Sequence, residues 1–507
     1  MKHFNTMIAL LFVLVEAQAF AQSATPHLRE RMFYVDSTGL IGQTPDVRAQ
    51  IGDSAASNYA WGMRKIVVHG GTFYHVFSDR SDGGDHDVYL RTSTDGLLWS
   101  NKVRVNDDSL DADQVNPTIA VHGSGSNLRL VVLWSDYRTA NPQMRAAVST
   151  DGGQTWSQSM QISHHTDNTL IYGNVSVGPD GVFYAAWMRR YAGDRWDDVF
   201  FSKSTDGGLT WTTPITAFDG HHYSHSSQIV AGDTGEIFII IDDDQYHRRN
   251  LVLRYSSDAG NTWQTRSQLT NYGYNEGSYV PSMTNLGDSL YVIYQKFKRY
   301  TTESYFNLLK STDDGLTWSA PTQVNDSTII DDQNYPGYAR YYPNIAISPD
   351  GQRIYAAWAD RRVNPSGNDY DVYFSYSLDG GQTWSPDIRV NEDTTGLNQL
   401  YPSLAVKSNG GVDTVLVVWN DDRQTTVGIS VAPGVNPTGF QLHPNYPNPF
   451  NPVTHLAFEL PRSGFVELTI YDVLGREVKT LVSQQLPPGY HTVQWDGTDA
   501  TGRLVGS

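Results

Sequence analysis

The chain has 507 residues, 36 basic against 54 acidic side chains, no cysteine, 44 Gly and 30 Tyr. A formal net charge of -18 argues against a nucleic acid or an anionic membrane surface as partner, because binding phosphates rests on clustered Lys and Arg. The missing cysteine removes disulfides, thiolate zinc sites and thiol nucleophiles together, while abundant Gly and aromatic residues favour strands and turns over helices.

In chain order the first element is Met1-Lys-His3, an apolar run from Met7 to Val15, and small residues at Ala19 and Ala21. This pattern predicts a secretory signal peptide over residues 1–21, since the run is too short to span a bilayer as a helix. No later segment approaches the roughly 18 apolar residues a membrane helix needs, so a soluble exported monomer without a transmembrane segment is expected.

The middle of the chain is a repeat. Six segments share Ser-x-Asp-x-Gly-x-x-Trp or a close variant, with Asp95, Asp151, Asp206, Asp258, Asp313 and Asp379 as their acids; the first is one residue short. A second signal stands ahead of each: Phe77, Trp134, Trp187, Ile241, Tyr294 and Trp358, often followed by Asp and Arg, and Trp419 has the signal without a box. The spacing predicts an all-β propeller over residues 22–436, of seven blades with six as the alternative. In that reading the last blade takes three strands from the C-terminal side, Val427 to Val431 being the third, and a strand such as Arg31 to Val35 closes the ring as its fourth.

The boxes are read as structural: Ser and Asp bind turn amides, Gly takes a positive φ, and Trp wedges between sheets. They resemble the Asp-box, or bacterial neuraminidase repeat, of sialidases, sortilin-type receptors, xyloglucan hydrolases and photosystem assembly factors. The resemblance covers roughly residues 50 to 430. Because the boxes occupy one rim, a site is expected on the opposite face, around the channel. There His164-His165, the loop His221-His222-Tyr223-Ser-His225, the loop Tyr246-His247-Arg248-Arg249, and Tyr272 to Tyr279 break the repeat. His221, His222, Tyr223, His225, Tyr246, His247 and Arg248 are the candidate substrate-binding residues, suited to stacking on sugar rings and bonding their hydroxyls. The histidines lack helical metal-ligand spacing, so no metal site is assigned and no cofactor is expected. Structural calcium at Asp107-Asp108, Asp242-Asp-Asp244 or Asp331-Asp332 stays open. Val105-Asn-Asp, Val324-Asn-Asp and Val390-Asn-Glu recur at equivalent places and read as a repeated turn.

In sialidases an arginine trio grips the carboxylate of the substrate, a Tyr polarised by Glu is the nucleophile, and an Asp is the acid/base. In chain order the resemblance implies Arg64, Arg299 and Arg340 as the trio, Asp85 as acid/base, and Glu276 with Tyr401 as the nucleophilic pair. The sequence departs from the family at Arg64-Lys-Ile66, where a proline is usual. Asp87 and Tyr401-Pro-Ser403 also have twins at Asp371 and Tyr342-Pro-Asn344, as fold elements would.

Five prolines between Pro437 and Pro452 mark a linker or an edge strand over residues 437–453. Alternating runs from Thr454 onward predict a small immunoglobulin-like β-sandwich, residues 454–507. Asn445-Tyr-Pro-Asn-Pro-Phe-Asn-Pro452, Ile470-Tyr-Asp-Val-Leu-Gly-Arg476 and Trp495-Asp-Gly-Thr498 resemble the type IX secretion sorting domain, itself similar to a domain of flagellar hook-cap proteins. The family's closing strand is not matched before Ser507, so a truncated domain is expected. The resemblance implies type IX machinery as partner and a place at the cell surface or outside, through the outer membrane. The functional expectation is recognition of extracellular glycan or polysaccharide, with sialidase-like hydrolysis left open; the alternative is a non-catalytic protein-binding or structural surface module.

Overall fold

The computed structural model describes residues 7–13, 27–44, 47–48, 65–80, 85–108, 112–139, 141–164, 171–190, 197–219, 224–243, 249–273, 275–298, 301, 303–330, 342–364, 369–392, 397–421, 440–442, 454–462, 464–471, 477–486, 489–499 and 503. They fall into two compact units, Thr25–Gln424 and Met1–Ala24 with Thr425–Ser507. Apart from the single turn Gly125–Asn127, every regular element among them is a strand.

The larger unit is a ring of seven antiparallel sheets. The inner strands of blades one to six are Ile66–His69, Gln114–His122, Ile171–Val177, Ser224–Ala231, Glu276–Leu286 and Asn344–Ile347, each followed outward by its second, third and fourth strands in chain order. Blade seven takes Gln399–Asn409 and Val412–Asp421 from the C-terminal side, then His27–Asp36 and Gly39–Gln43 from the N-terminal side. The expected three-plus-one closure is therefore corrected to two-plus-two, and Val427–Val431 lies outside the described residues. The early strand is third in its sheet because its register runs the length of Val412–Asp421, His27 opposite Asp421 and Val35 opposite Asp413. Inner strands adjoin in turn around the ring, and that of blade seven meets that of blade one.

Each seam between blades has its own apolar cluster, and each box Trp packs at the edge of the cluster shared with the preceding blade: Trp99, Trp156, Trp211, Trp263, Trp318 and Trp384. The box holds its turn by satisfying amides. Ser149 Oγ donates to Asp151 Oδ1 at 2.7 Å and accepts from Gly153 N at 2.8 Å, while Asp151 Oδ1 accepts from Gln154 N and Thr155 N, both at 3.0 Å. The Thr155 hydroxyl, donating to Asp151 Oδ2 at 2.5 Å, and these bonds hold the Asp151 carboxyl down to about 2 against its partial burial. Gly260 shows why glycine closes the turn: its φ is +83°, and a Cβ there would sit 2.1 Å from Phe201 of the preceding blade.

The recurring Val-Asn-acid turn is an inter-blade clasp. Asn106 Oδ1 accepts Val88 N at 2.8 Å in its own blade, and Asp107 reaches into blade two, accepting Ser159 N at 2.8 Å and pairing with Arg138 at 3.1 Å. Asn325 Oδ1 and Asn391 Oδ1 accept Phe306 N and Val372 N in the same way, while Asp326 lies 3.6 Å from Arg362 and Glu392 3.1 Å from Arg31. The blade seven to one seam carries a buried pair instead: Glu30 Oε2 accepts Arg91 Nη2 at 2.6 Å, and Glu30 Oε1 accepts Trp99 Nε1 at 3.1 Å.

In the smaller unit two three-stranded sheets enclose a core of Leu456, Phe458, Leu460, Val466, Leu468, Ile470 and Trp495. One is Gln441–Leu442, Thr454–Leu460 and Gly489–Trp495; in the other Gly464–Tyr471 lies between Glu477–Leu486 and Met7–Val13. The apolar run read as a leader thus forms a strand here, Met7 opposite Tyr471 and Val13 opposite Phe465.

Candidate functional site

Boxes join third to fourth strands, so inner strands begin on the opposite face, and their first residues ring the mouth of the central channel. In four blades the inner strand enters through a left-handed residue before proline: Asn116 (φ 58°), Val280 (45°), Tyr342 (25°) and Tyr401 (57°), followed by Pro117, Pro281, Pro343 and Pro402. The registers jump there, between Leu133 and Ser135, Tyr279 and Ser282, and Leu400 and Ser403, so that two inner residues oppose one large second-strand aromatic: Trp134, Tyr294 or Trp419. These are β-bulges that re-aim side chains, and left-handed non-glycine residues cost about 1–3 kcal/mol each, strain of the kind that collects at functional sites.

Two of the left-handed residues are tyrosines, Tyr342 and Tyr401. Tyr172, Tyr279, Tyr342 and Tyr401, each near the start of the inner strand of blade three, five, six or seven, belong to one buried cluster that runs on into the seam between blades five and six, and Tyr342 and Tyr401 lie 5.1 Å apart between ring centres. Cations flank this collar: Lys65 Nζ stands 5.6 Å from the Tyr401 ring, and the Arg249 guanidinium 4.4 Å from Tyr279. Below it the inner strands of blades one and three to seven line a cavity of about 300 Å³, with Asn174, Gln228, Ser282 and Asn344 among its polar groups. Two of these brace the next blade: Gln228 Oε1 accepts Met283 N at 2.6 Å and Asn344 Oδ1 accepts Leu404 N at 3.3 Å.

At the entrance on blade five, Glu276 pairs with Lys296 Nζ at 3.4 Å, and that ammonium lies 5.1 Å from the Tyr272 ring. The Tyr272 and Tyr294 hydroxyls meet at 3.0 Å, and burial pushes Tyr294 up from its ordinary range. Acceptor, donor and ring face therefore stand together at an accessible edge of the mouth.

Three of the six residues implied by the sialidase resemblance are described. Tyr401 belongs to the collar; Glu276 is engaged by Lys296 on blade five, two blades away; Asp85 Oδ2 accepts Ala112 N at 3.0 Å in the link to blade two. Arg64, Arg299 and Arg340 lie outside the described residues, as do His221, His222, Tyr223, Tyr246, His247 and Arg248. The backbone of His225 falls in the blade-four bulge, where the register jumps between Ser224 and Ser227. The twins Asp87 and Asp371 do the same job in their blades, accepting Asn106 Nδ2 at 2.8 Å and Asn391 Nδ2 at 2.7 Å. The acidic tract at Asp107-Asp108 is likewise spent on protein donors, Asp108 Oδ2 accepting Gln114 Nε2 at 2.9 Å. Sequence reasoning missed Lys65, Tyr172 and the left-handed bulges; aligning inner strands on their Xaa-Pro pairs would have found the bulges.

The seven sheets, the boxes and the second unit define an Asp-box β-propeller joined to a small immunoglobulin-like β-unit. Matching family models are the BNR repeat-like domain over residues 177–293, the BNR/Asp-box repeat over 147–158 and 375–386, and the FlgD Ig-like domain over 451–507. A comparison with curated proteins gives no match. Similar solved structures include the Hadza microbial sialidase Hz136 (14% identity, 82% of this chain and 94% of that one, TM-score 0.43). A PL25 ulvan lyase has 11% identity over 86% and 95%, TM-score 0.45. The NanB sialidase of Streptococcus pneumoniae has 12% identity over 88% and 70%, TM-score 0.36.

Proposed function

We propose that the protein recognises extracellular glycan on the face opposite the box turns, with the tyrosine collar at the centre of the site. One observation carries this reading: four tyrosines from four blades, each near the start of its inner strand, belong to one buried cluster, two of them on strained Xaa-Pro bulges. Aromatic rings suit the apolar faces of sugars, and the Glu276, Lys296 and Tyr272 edge supplies an acceptor, donors and a further ring for hydroxyls. Sialidase-like hydrolysis is the second reading, favoured by the left-handed strain at Tyr401. The leader-like residues 1–21 and the sorting-domain motifs support export through type IX machinery and a place at the cell surface or outside.

The test is the full chain on a glycan array, with a fluorogenic sialoside and a polysaccharide panel, beside Tyr401→Phe and Glu276→Ala. Binding is the expected result. Turnover lost in both variants would establish a hydrolase, and neither binding nor turnover would sink the reading in favour of a protein-binding surface module.

A further inference from the structure

Aligning the inner strands by register puts one residue from each of four consecutive blades at the same level of the channel wall. Asn174 opposes Ala186, Gln228 Ile240, Ser282 Ile293 and Asn344 Ala357, each partner standing just before the large residue of its second strand, Trp187, Ile241, Tyr294 or Trp358. All four line the cavity of about 300 Å³. Across from them, blades seven and one contribute residues 404–406 and 66–68, all aliphatic. The bore thus has a polar arc and an apolar arc, and among the described residues that line it none has an ionisable side chain.

Two groups of the polar arc are unspent. Ser282 is 2% exposed and Asn344 7%, and among the described residues neither Ser282 Oγ nor Asn344 Nδ2 has a hydrogen-bond partner. The bond from Leu404 N to Asn344 Oδ1 fixes which way the carboxamide points, so Nδ2 is left to the bore with two donors. Along the inner strands the wall becomes more accessible: Met283, Ile345 and Leu404 are buried, while Thr284, Asn285, Ile347 and Val406 beyond them are half-buried. These strands run from the collar toward the box turns, so the bore opens on that side.

We propose that the bore is a second binding site, which takes a small uncharged polyhydroxylated molecule, of the size and amphipathic shape of a single sugar ring, from the side of the box turns. Volume sets the size, since about 300 Å³ stands at the lower end of small-molecule pockets, room for a ring and not for a chain. The wall sets the charge class. A carboxylate or an ammonium would leave water here without a counter-charge, whereas hydroxyls exchange water for Ser282 Oγ, which both donates and accepts, and for the Asn344 Nδ2 donors. The aliphatic arc suits the C–H face of the same ring. This site goes beyond the glycan reading, whose surface is the opposite face, and neither depends on the other.

The experiment is ligand-observed NMR titration of the full chain with glucose and galactose, each beside its uronate and its 2-amino derivative. Expected is saturable binding of at least one neutral sugar, with its two charged counterparts weaker by about ten-fold or more. Ser282→Ala, which removes one unspent hydroxyl, should weaken the neutral sugar by about three- to ten-fold. Ala346→Leu, which fills the bore without altering a polar group, should abolish binding. Charged sugars that bind as well as neutral ones, binding that survives Ala346→Leu, or binding unchanged in Ser282→Ala would each overturn the site. Glycan-array binding by the native chain with neither neutral sugar bound would overturn it too and leave the glycan reading standing.

Discussion

Replacing Asp387 by Ser should make the propeller more stable above neutral pH and leave it no better off in acid. At the blade five to six clasp, Asp326 and Asp387 each accept the other's backbone N–H, at 3.1–3.2 Å, and Arg362 Nη1 donates to Asp387 at 2.7 Å. At the blade one to two clasp the same place is held by Ser159, which cannot titrate. Burial and the Asp326 carboxylate push Asp387 up to about 7 from 3.8, against the pull of Arg362, and its side chain is only 2% exposed. The native state therefore keeps a proton that the unfolded chain releases above about pH 4, so stability falls as pH rises from about 4 to about 7 and is level beyond. At about 1.4 kcal/mol per pH unit this amounts to at most about 4 kcal/mol, less what the Arg362 bond returns. Asp387→Ser should erase the slope, gaining about 1–3 kcal/mol over the native chain at pH 8 and nothing at pH 4.5. Urea unfolding followed by tryptophan fluorescence reports on it, since twelve of the thirteen Trp lie within Thr25–Gln424. A stability difference between variant and native chain that stays constant from pH 4.5 to 8 would refute the reasoning.

Glu30→Ala should cost about 3–5 kcal/mol in denaturant unfolding by stranding Arg91 in the seam, whereas the double change Glu30→Met with Arg91→Met should recover most of it; equal losses would mean that packing, not charge, holds the seam. Gly260→Ala should cost about 2–4 kcal/mol, because a positive φ and the Phe201 ring both oppose a Cβ. Gly235→Ala, with φ +98° and nothing within 4 Å, should lose only about 1 kcal/mol, and thermal unfolding of the pair separates the two causes. Deleting residues 27–43 should abolish the cooperative transition of the propeller rather than trim it, since two of the four main strands of blade seven go with them; a retained sharp transition would contradict the closure seen here.

The box and the second-strand aromatic were legible because each is local: a turn that binds its own amides, and a ring buried in its own sheet. All seven second-strand signals fall on second strands, from Phe77 to Trp419. The closure was misjudged because the turn Asp36-Ser-Thr-Gly39 carries no box Trp; Thr38 N donates to Asp36 Oδ1 at 2.6 Å, and Gly39 sits against Tyr376 of blade six. Asp136 and Asp360 with their arginines were recognised as a pattern, and each Arg does pair with the Asp of its own strand; what stayed hidden is its second acid, Asp107 or Asp326 in the preceding blade, a separation no local rule spans. The Tyr-Pro pairs were rightly read as repeated elements. What hid their left-handed geometry is that a bulge shifts a side chain off the strand's alternation, so periodicity assigns it to the wrong side.

Blade seven also sets a clock. Of the strands of the ring His27–Gln43 is made first, yet its partner strand ends only at Asp421, and at 5–20 residues per second about 20–75 s separate the two during synthesis. For that interval the two leading strands have no sheet to join and the growing arc of blades keeps a bare edge, the state in which β-proteins associate wrongly. The ring becomes a ring in its last step, so a chain interrupted anywhere before Gln399 is left with an open edge.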